Sequence, residues 1–240
     1  MSGLNLLARG KPGFPPPERA LREPNGLLAV GGELNPDWLL TAYRHGVFPW
    51  FEDDRGPLLW WSPDPRAILY PDAIKINRSL AKRLRNGGFR VTLDTAFRSV
   101  IEGCAESRVR AGRTENGTWI TQKMIDAYTE LHEIGFAHAV EVWRADELVG
   151  GLYGVSLGRM FFGESMFSRE KDASKVALSC LCRQMRQWDY PLIDCQVSNP
   201  HLESLGAIEL PRSEFIAKIE WNADQPTRQG TWRMEFDTLL

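Results

Sequence analysis

The sequence lacks any long hydrophobic run. Across its 240 residues, no apolar stretch approaches the roughly 18 residues that a membrane-spanning helix needs. The first 21 residues contain no apolar segment of signal-peptide length and no small-residue cleavage site. We therefore expect a cytoplasmic protein without a membrane partner, and we expect it to be a monomer. Nine Trp and eleven Phe exclude disorder as the dominant state, because these side chains supply enough burial for a core.

Cysteine and histidine are scarce, with four residues of each. No two cysteines have the C-x-x-C spacing of a zinc site, although Cys180 and Cys182 are only two positions apart. The histidines show no metal-ligand spacing either. The Gly-x-x-x-x-Gly-Lys-Ser/Thr loop that holds nucleotide phosphates is also missing. We therefore expect neither a metal nor a cofactor.

The sequence also lacks a large net charge, since 29 Lys and Arg nearly balance 31 Asp and Glu for a total of −2. The charge is unevenly distributed. Residues 75–113 hold ten basic and three acidic residues, a local charge of +7 that leaves −9 for the remainder. Arg78, Lys82 and Arg85 share one face of a predicted helix, and Arg83 lies beside that face. A solvated charged face is the alternative, but the asymmetry favours a surface that binds a phosphate backbone.

Local signals divide the chain into two differently patterned parts. Proline and glycine crowd the first 35 residues and favour turns and extended segments. The elements predicted after them are a helix between Asn35 and Gly46, a basic helix from Ser79 to Asn86, a strand from Phe89 to Leu93, helices from Thr95 to Ala105 and from Thr121 to Gly135, and an Arg-rich loop from Ser107 to Asn116.

From about residue 137 the hydrophobic period changes to that of strands. The predicted elements are an antiparallel meander over 139–144, 147–156 and 159–167, a helix that Asp172 or Ser174 caps and that reaches Trp188, a strand over 192–197, a short helix over 201–205 and a strand over 207–210. The tail has only weak periodicity. This order predicts an α+β fold, with a small irregular α/β domain of residues 1–65 and a second domain of residues 66–240 in which an antiparallel or mixed sheet carries flanking helices. A boundary near residue 135 is the alternative.

Three polar residues in the second part stand in apolar surroundings. Asp194 and Gln196 are two apart on a predicted strand, so both side chains point to one face and Cys195 points to the other. Burying such a pair is costly unless it is hydrogen-bonded. The pair is therefore either structural or part of a site at the end of the strand. Glu164 is either a strand-edge carboxylate or a group at a pocket mouth, where it would hold an ammonium group or a ribose.

Six motifs occur in order along the chain. They are EPNGLLAVGG (23–32), GVFPWF (46–51), WWSPDPR (60–66), GTWIT (117–121), GESMFS (163–168) and LIDCQ (192–196). With these motifs the sequence closely resembles the bacterial leucyl/phenylalanyl-tRNA–protein transferases over about residues 14–212. The resemblance implies a carboxy-terminal domain similar to the GNAT acyltransferase fold. It also implies transfer of Leu or Phe, and more weakly Met, from aminoacyl-tRNA to proteins that begin with Arg or Lys, which marks them for N-degron degradation.

The resemblance also implies roles for individual side chains. Trp50 and Trp119 lie on short segments bounded by Gly or Pro, and by resemblance they hold the terminal adenosine of the aminoacyl-tRNA. Stacking of this kind contributes about 1–3 kcal/mol per base. Trp60 and Trp61 are more typical of a core. The donor side chain is expected to enter a pocket lined by several apolar residues: Leu152, Phe161, Met166, Leu178, Leu181 and Ile193.

The predicted catalytic residues are Asp194, Gln196 and Glu164. By resemblance, Asp194 orients or polarises Gln196 and the bound aminoacyl ester near the attacking amine. The ester is already activated, so no ATP is needed, and positioning two substrates can itself supply ~7–11 kcal/mol. The route of the proton stays open between Gln196, a water molecule and the 2′-hydroxyl of the tRNA.

Two other functions compete with this one. An acetyl-CoA-dependent GNAT N-acetyltransferase would cradle a pyrophosphate on a glycine-containing turn, whereas the corresponding turn here, SREKDA (168–173), contains no glycine. A non-catalytic aminoacyl-tRNA-binding protein would bind the donor and never label a peptide that begins with Arg.

Overall fold

A four-stranded and a seven-stranded β-sheet form the framework of the fold, and helices pack on both. The computed structural model describes residues 4–51, 53–106, 109–110, 113–114, 120–236 and 239. The strands in these ranges are β1 (Asn5–Leu7), β2 (Leu27–Gly31), β3 (Phe48–Pro49), β4 (Leu59–Trp61), β5 (Arg66–Leu69), β6 (Arg90–Leu93), β7 (Val109–Arg110), β8 (Arg113–Thr114), β9 (Ala137–Arg144), β10 (Glu147–Leu157), β11 (Met160–Ser168), β12 (Leu192–Gln196) and β13 (Ile208–Leu210). The helices are α1 (Pro36–Arg44), α2 (Arg78–Asn86), α3 (Phe97–Ala105), α4 (Gln122–Glu133), α5 (Ala173–Gln187), α6 (Pro200–Ser204) and α7 (Arg212–Asn222). Among the residues described, no helix is long and apolar enough to cross a membrane.

The smaller sheet has the strand order β1-β2-β4-β3, and α1 connects β2 to β3. The local signals for α1 are confirmed. The side-chain oxygen of Asn35 accepts a hydrogen bond from the backbone N–H of Trp38 (3.1 Å), and Pro36 occupies the first helical position, where its missing N–H costs nothing. The apolar face of α1 is buried, and it carries Tyr43 into the interior.

The larger sheet has the order β13-β5-β12-β11-β10-β9-β6. The predicted meander of β9, β10 and β11 is confirmed, and β11 pairs in parallel with β12 while the other neighbours are antiparallel. Successive side chains along a strand face opposite sides of a sheet. Tyr153 and Phe162 therefore pack in the core that includes residues of α3 and α4, whereas Leu152 and Phe161 pack in the core that includes α5.

The mixed α+β architecture, with helices flanking a mixed sheet, is confirmed. One hydrophobic core contains Trp38 and Trp60 from the first 65 residues together with Tyr153 and Phe162 from the large sheet. Because this core continues from one sheet to the other, packing alone does not mark a boundary. The division at residues 65–66 stays a prediction.

Three local expectations were wrong. The Arg-rich stretch 107–116 was expected to be a loop, but its described residues form the paired strands β7 and β8. The weak periodicity of the tail after residue 210 predicted no regular element. The helix α7 nevertheless forms there, with Phe215 and Ile219 as its buried residues. Asp172 occupies the N-cap position of α5, but its side chain makes no capping hydrogen bond, and Ser174 lies inside the helix. The hydroxyl of Ser168 instead accepts a hydrogen bond from the backbone N–H of Ser174 (2.8 Å).

Candidate active site

A cavity of about 960 Å³ opens beside β11, β12 and α5. All six side chains predicted to form the donor pocket line it: Leu152, Phe161, Met166, Leu178, Leu181 and Ile193. Glu164, Gln196 and Trp50 line the same cavity. The structure therefore brings an apolar pocket, a buried carboxyl–amide pair and a partly exposed aromatic ring together in one space.

Glu164 is the centre of a buried hydrogen-bonded cluster. Its Oε1 accepts from the hydroxyl of Tyr43 (2.7 Å) and from Nε2 of Gln196 (2.7 Å), and its Oε2 contacts the hydroxyl of Tyr128 (3.0 Å). The two tyrosine hydroxyls are themselves 2.5 Å apart. Tyr43 comes from α1 and Tyr128 from α4, so the cluster joins both helices to β11.

Counting protons shows which form of Glu164 fits this cluster. Three oxygen–oxygen contacts connect Tyr43, Tyr128 and Glu164, but the two hydroxyls supply only two protons. A third proton on the carboxyl group gives every contact one hydrogen. Burial points the same way, because it raises the pKa of Glu164 to about 7, with the charge of Asp194 adding to the rise and the three hydrogen bonds opposing it.

Asp194, two residues before Gln196, lies outside the described lining of the cavity. It is fully buried, and its two carboxylate oxygens accept from Nε and Nη2 of Arg66 at 2.8 and 2.7 Å. Its Oδ1 also accepts from the backbone N–H of Gln196 (2.9 Å). Both members of the buried polar pair are thus hydrogen-bonded, and Asp194 holds the main chain of Gln196 and not its side chain.

This contact stabilises an unusual backbone at Gln196. The residue has φ of 62°, a left-handed conformation that is unfavourable for residues other than glycine, and the pairing of β12 with β5 shifts register between Asp194 and Gln196. The bend directs the side chain of Gln196 to Glu164. Such strain persists where surrounding contacts enforce it, and Asp194 supplies one of them.

Arg66 is a functional candidate that the sequence reasoning missed. Its guanidinium is fully buried, lies between the rings of Phe48 (4.8 Å) and Phe215 (4.6 Å), and donates to the carbonyl of Gly46 (3.2 Å). A charged residue at the start of the apolar run Arg66–Leu69 was the available signal. Tyr43 and Tyr128 were missed as well, since each is placed on the buried face of an amphipathic helix and resembles an ordinary core residue.

The aromatic residues separate into two groups. Trp50 is 40% exposed, and its ring lies 5.6 Å from that of Trp61, whose indole N–H donates to the carbonyl of Trp50 (2.7 Å). Trp60 is fully buried, as expected for a core residue. Trp119 lies outside the described residues. Trp50 is therefore a partly exposed ring in the lining of the cavity.

The basic residues of α2 lie away from the cavity lining. Arg78, Lys82 and Arg85 are exposed, as predicted, whereas Arg83 is half-buried with its guanidinium 4.0 Å from the carboxylate of Glu170. The four predicted cations thus form a surface with three solvent-facing members and one that is partly paired. In the part of the chain that the structure describes, no group of three or more His, Cys, Asp and Glu side chains could hold a metal ion.

Sequence models of one family match most of the chain. The model described as leucyl/phenylalanyl-tRNA protein transferase matches residues 68–220, and the model of that family's N-terminal domain matches residues 32–64. The chain belongs to this family.

Curated relatives agree with this assignment. A leucyl/phenylalanyl-tRNA–protein transferase from Stutzerimonas stutzeri (strain A1501) is 55% identical over 230 residues, which cover 96% of this chain and 99% of the relative. One from Azoarcus sp. (strain BH72) is 56% identical over 231 residues, which cover 95% and 96%. The predicted membership of the leucyl/phenylalanyl-tRNA–protein transferase family, a family of aminoacyltransferases, is confirmed.

Among solved structures, a GCN5-related N-acetyltransferase from Kribbella flavida superposes with a TM-score of 0.35 and 8% identity, over 71% of this chain and 58% of that chain. A similarity of this size carries no argument about function.

Proposed function

We propose that this protein transfers Leu or Phe, and more weakly Met, from aminoacyl-tRNA to the N-terminal α-amine of proteins that begin with Arg or Lys, and that this marks them for N-degron degradation. The observation that carries the proposal is that one cavity is lined both by six apolar side chains and by the hydrogen-bonded pair of Glu164 and Gln196. Membership of the transferase family supports it.

The donor occupies the apolar part of the cavity. Leu, Phe and Met share an apolar character and differ mainly in shape, and an apolar pocket discriminates among such side chains by only about 1–3 kcal/mol per methylene. The terminal adenosine stacks on Trp50 at the rim, together with Trp119. The exposed cations of α2, which are Arg78, Lys82 and Arg85, contact the tRNA backbone.

The reaction is the aminolysis of an ester. The lone pair of the acceptor's α-amine attacks the carbonyl carbon of the aminoacyl group, a C–N bond forms, and the C–O bond to the ribose breaks. The nitrogen loses a proton and the ribose oxygen gains one. Because a terminal α-amine has a pKa near 7.7–8.0, a fair fraction is already neutral near physiological pH, and a strong base is not required.

The polar residues of the site have different roles in this reaction. The amide nitrogen of Gln196 is directed to Glu164, which leaves the amide's carbonyl oxygen to accept a hydrogen bond from the attacking amine. Glu164 is the group next to it that can take up or release a proton, since its pKa is about 7. We assign Asp194 a positioning role, because it acts on Gln196 through the backbone and lies outside the described cavity lining.

The proposal is tested with Phe-tRNA that carries a labelled amino acid and with two peptides that differ only in their first residue, Arg or Glu. We expect label on the Arg peptide alone. Acetyl-CoA as donor separates the competing enzyme, since acetylation of the same peptide without aminoacyl transfer would identify an N-acetyltransferase. Tight binding of Phe-tRNA with no labelled peptide would identify a non-catalytic binding protein.

A further inference from the structure

The chain continues beyond residue 220, where the match to the family model ends. Residues 223–236 contain no helix or strand, yet they are hydrogen-bonded to the turn before β9 and to α5. The N–H of Gly230 donates to the carbonyl of Gly135 (3.1 Å), and the N–H of Glu235 donates to the side chain of Gln184 (2.9 Å). This C-terminal segment is therefore an integral part of the packing on this side of the molecule.

Trp232 is the buried anchor of the C-terminal segment, with 2% of its surface exposed. Its ring stacks on His138 at 3.6 Å with an interplanar angle of 5°, and the ring of Trp188 meets it edge-on at 4.9 Å. Its backbone N–H donates to the carboxylate of Asp94 (2.7 Å), and its indole N–H donates to the carbonyl of Arg228 (2.8 Å). Contacts on several sides thus hold the ring in one position.

Phe161 separates Trp232 from the donor pocket. The two ring centroids are 5.9 Å apart, and Phe161 lines the cavity whereas Trp232 and His138 lie outside its described lining. The ring of Phe161 also lies against Gly154, where a Cβ atom would come within 2.6 Å of it. Phe161 is therefore confined, and Trp232 is a large buried side chain that packs against it from outside the cavity.

We propose that Trp232 is a positioning residue for donor specificity: it holds Phe161 in place and thereby sets the depth of the donor pocket. The inference rests on the proposed function, since the depth matters only if a donor side chain enters this cavity. One methylene in an apolar pocket changes selectivity by about 10- to 200-fold, so a small displacement of a wall residue changes the preference between Leu and Phe. A buried ring behind Phe161 keeps this wall residue in place and thereby preserves the selectivity of the pocket.

The test measures kcat/KM for Leu-tRNA and Phe-tRNA with one Arg-starting peptide, in the wild-type protein and in Trp232→Ala and Trp232→Leu. Removing the indole leaves space into which Phe161 can retreat, so the pocket deepens. We expect the Phe-to-Leu ratio of kcat/KM to rise by about fivefold or more. Transfer from Trp-tRNA, a larger donor, should become measurable.

Two further variants separate positioning from general stability. Trp221→Ala removes an indole that is 76% exposed on α7, and it should leave the ratio unchanged. Phe161→Leu shortens a side chain of the pocket wall and so enlarges the pocket directly. It should therefore raise the Phe-to-Leu ratio of kcat/KM. If Trp232 acts through Phe161, the double variant shifts the ratio by less than the product of the two single shifts.

A purely structural Trp232 would lower both rates by the same factor, because fewer molecules would be folded. An unchanged Phe-to-Leu ratio in a Trp232 variant that still transfers therefore overturns the inference, and so does simple multiplication of the effects in the double variant. If Trp232→Ala fails to fold, Trp232→Phe decides, with a smaller rise in the ratio supporting the inference and no rise overturning it. Wild-type protein that transfers neither amino acid overturns the proposed function itself, and this inference with it.

Discussion

Replacing Glu164 with Gln tests the proton count in the tyrosine cluster. The amide has the shape of the carboxyl group, and its N–H can take the place of the third proton that Tyr43, Tyr128 and Glu164 require. Glu164→Gln should therefore preserve the three contacts. The substitution removes Glu164, whose pKa of about 7 makes it the member of this cluster that titrates near neutral pH. The two tyrosines do not titrate there, because burial raises their pKa values well above the ordinary value.

The size of the effect follows from the pKa of Glu164. In the unfolded chain this carboxyl group loses its proton near its ordinary value of 4.5, whereas in the folded protein it keeps the proton until about pH 7. Between these values the unfolded state binds fewer protons, so the stability of the wild-type protein falls as pH rises through this window and stays lower above it. The difference in pKa corresponds to about 3 kcal/mol. The variant has no such loss.

The measurement is urea unfolding of the wild-type protein and of Glu164→Gln at several pH values between 5 and 8. We expect the variant to gain about 2–3 kcal/mol in unfolding free energy relative to the wild type from the low end of this range to the high end, since part of the difference already lies below pH 5. Glu220→Gln makes the same chemical change at an exposed position and should track the wild type. Parallel curves for wild type and Glu164→Gln would refute the reasoning, because they would mean that Glu164 ionises at its ordinary pKa.

Further predictions concern the other parts of the site. Asp194→Ala should lower the rate of the chemical step far more than the affinity for aminoacyl-tRNA, since Asp194 holds Gln196 and does not line the cavity; single-turnover and binding measurements that show equal losses would contradict this. Trp50→Ala should raise KM for aminoacyl-tRNA by the equivalent of about 1–3 kcal/mol of stacking energy, and an unchanged KM would count against stacking. Arg78→Ala combined with Lys82→Ala should reduce the slope of log affinity against log salt by roughly 0.7–0.9 for each phosphate that these cations neutralise, and an unchanged slope would place the tRNA elsewhere.

Much of the fold could be predicted because its signals are local. The cap at Asn35, the two-residue period of the meander and the glycine that ends α2 each act within a few residues of the chain. Helix α7 was missed because its only buried residues, Phe215 and Ile219, make a weak periodic signal. That helix matters for the site, since Phe215 forms one side of the enclosure around Arg66.

The site was only partly predictable, because its decisive contacts join distant parts of the chain. The apolar character of the donor-pocket residues and the polar pair at Asp194 and Gln196 are visible in sequence. The partners are not, since Tyr43 meets Glu164 across 121 positions and Arg66 meets Asp194 across 128. Which buried tyrosine or arginine reaches a given carboxylate is decided by the packing of helices and sheets, and the periodicity of each element carries no information about it.

The charges of Arg66 and Asp194 cancel, so the net charge of the buried group at the site depends on whether Glu164 is protonated. Arg66 and Asp194 are both fully buried and neutralise each other through two hydrogen bonds at 2.8 and 2.7 Å. A protonated Glu164 therefore leaves this buried group without net charge, and an ionised Glu164 leaves it with −1. The change occurs near pH 7, just below the range of about 7.7–8.0 in which terminal amines lose their proton. Under the proposed function, a carboxylate is present in that interval to attract a protonated acceptor while a growing share of the amine is neutral and nucleophilic. In this proposal the pKa of Glu164 connects binding of the acceptor to its reactivity.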